Sequence, residues 1–214
     1  MIHKVPTWEV EQSFWQCGIK YIIGMDEVGR GCIAGPVVVG AVIFKFNNID
    51  FDFSMIRDSK DLNTKNRLII SQQIIENAFK YSIGTVSNTS VDLHGITWAV
   101  HHAAIQAMNK LKVSGSNCFV ITDNRLLCPK YPFPIKYESI IDGDSICMSI
   151  ASASIIAKVW RDNYMQKLAV KPQYQKYGWD TNVGYGTLDH RNSIRQHGIS
   201  DLHRKSFCKH YSIE

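Results

Sequence analysis

The chain has 214 residues, 45% of them hydrophobic, with a formal net charge of +5 and a sequence pI of about 8.8. This length fits one large domain, or one domain with a small appended lobe. No run reaches the ~20 apolar residues that a membrane span needs, and the N-terminus has no apolar core of the signal-peptide type. The mild basic excess suits a polyanionic partner.

The six cysteines form no C-x-x-C pair, so the sequence indicates neither a zinc knuckle nor a thioredoxin-type motif. Cys32, Cys118 and Cys147 lie in or beside apolar runs and are interpreted as small buried hydrophobic residues. In a chain of this size, that pattern favours a reducing, cytoplasmic location over a disulfide framework.

The first predicted elements are two strands over residues 21–25 and 36–46, which are rich in Val and Ile and bounded by Gly and Pro. Buried strands have this composition. Asp26 and Glu27 stand where the first strand is predicted to end, and buried carboxylates need partners or a metal ion. The alternative is a solvated acid pair at a turn.

The turn after this acid pair carries Arg30 between Gly29 and Gly31. The glycines permit the chain to turn at Glu27, so that both acids face one site. Glycine also lets a ligand approach the backbone closely. The sequence therefore predicts a ligand-facing turn at the end of the first strand.

The remaining elements alternate between helices and strands. Apolar residues at helical spacing predict helices, and short apolar runs predict strands. The predicted helices are 65–79, 90–112 and 145–168, and the predicted strands are 81–86, 117–122 and 135–141. This order predicts an α/β sheet with helices on its faces.

Two further acids follow predicted strands. Asp123 ends the strand 117–122, at the sheet edge where ligands bind in open α/β folds. Asp144 opens the helix 145–168, where an acid also serves simply as an N-cap. Together with Asp26 and Glu27 they form an all-oxygen donor set, which selects hard cations such as Mg²⁺ or Mn²⁺. Two such ions can clamp an in-line phosphoryl displacement.

The composition changes after residue 169. Tyrosine and tryptophan cluster there, and seven Lys or Arg residues stand against three Asp residues between 171 and 210. Basic residues interleaved with aromatic ones suit a nucleic-acid surface, and the alternative is a helical cap with a mixed surface. His203, Cys208 and His210 are too few to indicate a zinc site.

Motifs along the chain resemble those of the ribonuclease HII family, in order, over about residues 20–207. DEVGRG followed by AGPVVVGAV resembles the first motif, and DSKDLNTKNR resembles DSKxLxxxxR. TDNRL resembles the start of VDGNxLP, and DGDSICMSIASASIIAKVWRD resembles KGDxxSxSIAAASIIAKVxRD. GYGTLDH and HRKSF resemble the closing GYxTxxH and HRxSF motifs.

This resemblance implies a ribonuclease H-like α/β fold: a mixed five-stranded sheet flanked by helices, with a small helical C-terminal lobe. The catalytic core would cover 1–168 and the substrate-binding lobe 169–214, as one functional unit. The resemblance also assigns metal binding to Asp26, Glu27, Asp123 and Asp144.

Substrate contacts are implied in the same way. The backbone of Gly29, Arg30 and Gly31 would contact the 2′-hydroxyl of a ribonucleotide, and Lys60 would meet a phosphate. Tyr185 would pack on the sugar at the ribose–deoxyribose junction. Ser149 belongs to the same predicted set of substrate-binding residues.

The implied activity is metal-dependent endonucleolytic hydrolysis of the RNA strand of RNA–DNA hybrids, using Mn²⁺ or Mg²⁺. It includes cleavage on the 5′ side of ribonucleotides embedded in duplex DNA, leaving 3′-hydroxyl and 5′-phosphate ends. The expected roles are ribonucleotide removal and RNA primer removal. The protein is expected to be a cytoplasmic monomer that has no membrane partner. The alternatives are the sister ribonuclease HIII activity, or a catalytically silent hybrid-binding module.

Five positions depart from the family pattern. Gly95 and Val100 replace an expected Asn and Thr, and Asn124 replaces a Gly. Asp142 and Val183 replace lysines, which removes two positive charges near the predicted site.

Overall fold

The computed structural model describes residues 5–45, 56, 63–124 and 126–211. The five strands are β1 Tyr21–Val28, β2 Val37–Ile43, β3 Lys80–Val86, β4 Cys118–Asp123 and β5 Tyr137–Ile140. The α-helices are α1 Glu9–Gln16, α2 Thr64–Asn77, α3 Asn88–His94, α4 Ile96–Leu111, α5 Met148–Ala169, α6 Trp179–Asn182, α7 Leu188–His197 and α8 Lys205–Cys208. Short 3₁₀ turns occupy Gly143–Ser145 and Gln175–Tyr177.

The strands form one mixed sheet in the order β3-β2-β1-β4-β5. Strand β1 pairs antiparallel with β2, which pairs antiparallel with β3. On its other side β1 runs parallel to β4, and β4 runs parallel to β5. The predicted mixed five-stranded sheet flanked by helices is confirmed.

Helices α4 and α5 cover opposite faces of the sheet. Alternate residues of β1 and β2 join the apolar cluster around α4, and the residues between them face α5, as the period of two along a strand requires. Glycines allow close contact: a Cβ at Gly40 would meet the backbone of Ala153 in α5, and one at Gly84 would meet the backbone of Ala103 in α4.

Several element boundaries differ from the predicted ones. Strand β1 runs on through both acids to Val28, so the chain turns at Gly29, where φ is 90°, and not at Glu27. The predicted helix 90–112 is two helices, because Gly95 adopts φ 84° between α3 and α4. Helix α1 was not predicted. The apolar side chains of its segment, among them Phe14 and Trp15, pack against the cluster around Ile22.

The C-terminal lobe packs on the turn that follows β1. The backbone N–H groups of Ile33 and Ala34 donate to the carbonyl of Gly184, and Arg204 N–H donates to the carbonyl of Ile33. Ile33 and Ala34 also join the lobe's own apolar cluster around Trp179. The lobe thereby closes one side of the turn at the end of β1. In the part of the chain described, no helix is long and apolar enough to cross a membrane.

Candidate active site

The acid pair of β1 lies where the sheet opens. Strand β1 pairs with β4 only as far as Met25, opposite Thr122, and then extends past its parallel neighbour while remaining paired with β2. Asp26 and Glu27 occupy this extension. Both side chains therefore reach a cleft at the carboxyl end of β4 without a turn between them.

Asp26 is the most buried of the four predicted acids, with 6% of its surface exposed. Burial raises its pKa well above the usual aspartate value, and the charge of Glu27 raises it further. Smaller contributions come from Asp123 and Asp144, whereas a hydrogen bond from Ser154 opposes the rise. The carboxylate thus sits in a desolvated, negatively charged environment that a cation would relieve.

Glu27 is paired with the arginine of the following turn. Arg30 Nε donates to Glu27 Oε1 over 2.7 Å. Burial nevertheless raises the pKa of Glu27, and the charge and hydrogen bond of Arg30 offset part of that rise. The glutamate is accordingly held by the same turn that is predicted to contact substrate.

Asp123 and Asp144 approach the cleft from two neighbouring turns. Asp123 ends β4, and its Oδ1 accepts a hydrogen bond from the backbone N–H of Gly143 over 2.7 Å. Asp144 lies in the 3₁₀ turn that starts at Gly143 and has 8% of its surface exposed. The hydrogen bond ties the two acid-bearing turns to each other.

All four acids line one cleft of about 250 Å³. The other lining residues are Val28, Gly29, Arg30, Gly31, Ser154, Lys158 and Tyr185. Two of the larger cavities in the described part of the chain, of about 510 and 520 Å³, lie around the start of β1. Neither is lined by a carboxylate, so donor chemistry and not size identifies the site.

The donor set of the cleft fits a hard divalent cation. Its ionisable acceptors are carboxylates, with no histidine or cysteine among the lining residues, as Mg²⁺ and Mn²⁺ prefer. However, no three His, Cys, Asp or Glu side chains within 5–45, 63–124 and 126–211 converge closely enough to form a ready metal cage. Glu27 is turned towards Arg30, and Asp123 towards Gly143, which accounts for this spread.

Tyr185 forms the rim of the cleft on the side of the lobe. Lys158 Nζ lies 5.2 Å and Arg161 Cζ 5.8 Å from the centre of its ring. Its hydroxyl is hydrogen-bonded to Cys32, and burial raises the pKa of Tyr185 to about 12. Lys158, Arg161 and Cys32 therefore hold the ring in place, while 38% of the Tyr185 surface stays exposed.

The backbone of Tyr185 is anchored by a pair of buried histidines. The Tyr185 carbonyl accepts from His190 Nδ1 over 2.8 Å. His203 Nδ1 accepts from the Ser200 N–H, so His203 Nε2 carries the proton and donates to His190 Nε2 over 3.0 Å. Both rings are neutral in this arrangement, and burial lowers the pKa of each.

Ser149 is not part of the cleft, which corrects its prediction as a substrate contact. It is 1% exposed, and both its N–H and its hydroxyl donate to Glu11. Ser149 lies about 140° around helix α5 from Ser154, at 100° per residue, and Ser154 is the residue that reaches Asp26. Lys60 lies outside the described residues.

Sequence reasoning missed Ser154 and Lys158 as site residues, although both lie in the α5 motif. Their spacing of four places them on one helix face, and that periodicity was the available signal. Lys158 also donates to Asp162 over 2.8 Å, one turn further along. Ser154 and Lys158 therefore define the side of α5 that lines the cleft.

Comparison with known proteins agrees with the family resemblance of the sequence motifs. The family described as ribonuclease HII matches residues 23–210. Ribonuclease HII of Thermosynechococcus vestitus is 40% identical over 202 residues, which cover 93% of this chain and 89% of the relative.

Solved structures share the fold. The crystal structure of ribonuclease H2 from Pyrococcus horikoshii OT3 superposes with a TM-score of 0.72 at 22% identity, covering 89% of this chain and 96% of that one. Bst-RNase HIII in complex with Mn²⁺ superposes with a TM-score of 0.62 at 20% identity, covering 87% of this chain and 65% of that one.

Proposed function

This chain belongs to the ribonuclease HII family and is an endoribonuclease acting on RNA–DNA hybrids, and we propose that the cleft at the end of β1 is its active site. The observation that carries the proposal is the convergence of four carboxylates, the Gly29–Gly31 turn and Tyr185 on one cleft. This convergence combines metal ligands with groups that can recognise a sugar.

Asp26, Glu27, Asp123 and Asp144 would hold divalent metal, Mg²⁺ or Mn²⁺, in two positions when substrate is present. Bound metal supplies charge neutralisation at the scissile phosphate and lowers the pKa of water. The solved relative Bst-RNase HIII was crystallised in complex with Mn²⁺, which supports a divalent ion here.

The acids themselves must reorganise to accept metal. Glu27 is paired with Arg30, and Asp123 Oδ1 is occupied by Gly143 N–H. Metal affinity of the free protein is accordingly weak, and a phosphate of the substrate completes the donor set. Once Glu27 is released, the Arg30 guanidinium could also contact a phosphate, which its planar donors suit.

Recognition of RNA requires a group that contacts the 2′-hydroxyl, because that group distinguishes RNA from DNA. The turn of Gly29, Arg30 and Gly31 lines the cleft, and a Cβ built on Gly31 meets none of the described residues within 4 Å. Backbone at this turn is thus open to close approach by a sugar. Lys60 is proposed to contact a phosphate further along the strand.

Tyr185 is proposed to test the following nucleotide. Its ring stands at the rim with Lys158 beside it, so a deoxyribose can pack on the exposed face. This arrangement favours cutting on the 5′ side of a ribonucleotide at an RNA–DNA junction, leaving 3′-hydroxyl and 5′-phosphate ends. The corresponding roles are removal of embedded ribonucleotides and of RNA primers.

Three broader assignments accompany this proposal. The core 1–168 and lobe 169–214 act as one functional unit, because the lobe contributes Tyr185 to the cleft. The protein acts as a monomer, since one chain supplies every proposed site residue. The six cysteines are free thiols, which supports a reducing, cytoplasmic location.

The test is cleavage of a DNA duplex that carries one embedded ribonucleotide, with Mg²⁺ or Mn²⁺, by wild type and Asp123→Asn. We expect a metal-dependent cut on the 5′ side of the ribonucleotide in wild type and loss of at least about 100-fold in the variant, as for loss of a major electrostatic contribution. Cleavage of long hybrids alone would remove the junction role of Tyr185. Hybrid binding without cleavage under either metal would instead indicate a silent binding module.

A further inference from the structure

The segment before β1 lies outside the residues that match the family, 23–210, yet it contacts the start of α5. Thr7 forms a parallel bridge with Cys147. The Thr7 N–H donates to the Ile146 carbonyl over 2.9 Å, and the Met148 N–H donates to the Thr7 carbonyl over 3.1 Å. The Thr7 backbone thereby satisfies one of the N–H groups that the first turn of a helix leaves unpaired.

Glu11 completes this attachment. Helix α5 has Cys147 at its N-cap, without a side-chain cap hydrogen bond. Glu11 Oε1 instead accepts from the Ser149 N–H over 2.8 Å and from the Ser149 hydroxyl over 2.6 Å. A carboxyl group from α1 therefore caps the helix that carries Ser154 and Lys158.

Glu11 is buried at a position where an acid is costly. Only 1% of its surface is exposed, and burial raises its pKa. Its Oε2 has no hydrogen-bond partner among the described residues. A buried polar atom of this kind costs free energy unless other contacts compensate for it. The two hydrogen bonds that Glu11 accepts from Ser149 offset part of this cost.

The turn carrying Asp144 lies between two attachments. On one side Gly143 N–H donates to Asp123. On the other side Cys147 N–H donates to the Gly143 carbonyl over 2.8 Å, and the next two residues are held by Thr7 and Glu11. Asp123, a residue of the site, therefore holds the Asp144 turn on one side. The segment that contains Thr7 and Glu11, which lies outside the site, holds it on the other.

We propose that Glu11 is a positioning residue of the active site: by capping α5 at Ser149, it holds the Asp144 turn in the geometry that binds metal. This inference rests on the proposed role of Asp144. Glu11 touches neither substrate nor metal. Its effect reaches the site through Ser149 and the four residues that separate Ser149 from Asp144.

The test compares Glu11→Ala, Glu11→Gln and Glu11→Asp, with Glu9→Ala as the matched control because Glu9 is exposed on the same helix. The first readout is the Mn²⁺ concentration that gives half-maximal cleavage of a hybrid. We expect it to rise about 10-fold in Glu11→Ala, as for other groups that orient metal ligands, with KM for the hybrid unchanged. Glu11→Gln, which keeps an acceptor oxygen, should restore most of the wild-type metal dependence.

A second readout does not depend on activity. Backbone amide exchange of the peptide covering 143–149 should accelerate in Glu11→Ala and not in Glu9→Ala. Metal dependence and exchange in Glu11→Ala that match the control would overturn the proposal. If Glu11→Ala fails to fold, Glu11→Asp decides, because its shorter side chain withdraws the carboxylate from both Ser149 donors: a raised Mn²⁺ requirement supports the proposal, and an unchanged one overturns it.

Asp144→Asn separates this inference from the proposed function. An inactive Asp144→Asn beside a Glu11→Ala variant with normal metal dependence would refute the positioning role and leave the site intact. A fully active Asp144→Asn would refute the metal-binding role of Asp144, and the positioning role with it.

Discussion

At the level of single residues, the pKa of Asp26 depends on the hydroxyl group of Ser154 in helix α5. Its pKa is raised by burial and by the neighbouring acids, and Ser154 is the hydrogen-bonding side chain that lowers it. Metal binding requires the ionised carboxylate, so metal affinity falls where Asp26 is protonated. Ser154 thus sets how far the pH can drop before the site loses a ligand.

We predict that Ser154→Ala moves the acidic limb of the pH–activity profile to higher pH. Removing the Ser154 hydroxyl takes away a hydrogen bond that favours ionised Asp26, while the one from the Glu27 N–H remains, so Asp26 needs a higher pH to ionise. The check is the pH dependence of kcat/KM at fixed Mg²⁺ for wild type and Ser154→Ala, with Ser152→Ala as the control. The Ser152 hydroxyl donates to the Met148 carbonyl within the same helix. Superimposable profiles would contradict the prediction.

The two glycines of the turn have different reasons to be glycine. A Cβ on Gly29 would meet Arg161, and its φ of 90° disfavours any side chain. A Cβ on Gly31 meets no atom of the described residues within 4 Å, and Gly31 has no left-handed backbone. The protein itself therefore requires glycine at the first position only.

We predict that Gly31→Ala leaves the free energy of unfolding within about 1 kcal/mol of wild type but lowers cleavage at an embedded ribonucleotide at least about 10-fold. The added methyl group would occupy space that the sugar needs. Urea denaturation and kcat/KM measure the two quantities, and Gly29→Ala should lower both. Full activity in Gly31→Ala would mean that substrate does not approach this backbone.

At the scale of elements, the distance between α5 and the sheet determines where Ser154 meets Asp26. Gly40 of β2 lies opposite Asp26 in the register, and a Cβ there would meet the carbonyl of Ala153, the neighbour of Ser154. Glycine in the sheet and small residues in α5 together allow this approach. Close packing of this kind cannot accommodate an added methyl group without strain.

We predict that Gly40→Ala lowers the free energy of unfolding by about 1–3 kcal/mol, the usual cost of overpacking a core. It should also lower activity, because α5 must shift away from Asp26. Urea denaturation measures the stability change, and Gly31→Ala is the matched control, since the same methyl group is added in open space. Equal stability of the two variants would show that α5 is not tightly seated here.

At the scale of the whole molecule, the lobe is joined to the sheet by buried polar contacts as well as by its apolar cluster. Arg161 of α5 donates to the carbonyls of Ala34, Pro36 and Val183. Arg204 of the lobe donates to those of Gly35 and Arg30. Two buried guanidinium groups thus connect the turn after β1 with α5 and the lobe, which supports a single cooperative unit.

The neutral histidine pair predicts how stability depends on pH. Burial lowers the pKa of His203 from 6.5 to about 3, helped by His190. Above pH 6.5 the ring is neutral in both the folded and the unfolded chain, so its stabilising contribution is complete. As the pH falls from 6.5 towards 3, only the unfolded chain takes up this proton, and stability is lost.

This loss should reach up to about 1.4 kcal/mol per pH unit for His203. Asp26, Glu27 and Glu11 act in the opposite direction, because their raised pKa values favour the protonated folded form. Histidine ring resonances in NMR separate the two effects. The His203 ring should stay neutral down to about pH 4, and a midpoint near 6.5 would contradict the buried, neutral arrangement.

Local sequence patterns predicted the fold class, the order of the five strands along the chain, and the four acids that line the cleft. Strands and helices follow from local periodicity, and acids at strand ends are visible because charge is costly beside apolar runs. The resemblance to the family motifs also predicted Tyr185 as a substrate contact, and its ring lines the cleft.

The residues of α5 that face the acids, and the contacts of the N-terminal segment, follow from tertiary packing and not from local sequence. Ser149 and Ser154 lie in one motif, but the docking angle of α5 turns one towards Glu11 and the other towards Asp26. Likewise, β1 continues through Asp26 and Glu27 because it stays paired with β2 after its pairing with β4 has ended. Such outcomes depend on contacts between residues far apart in the chain, which local sequence patterns do not encode.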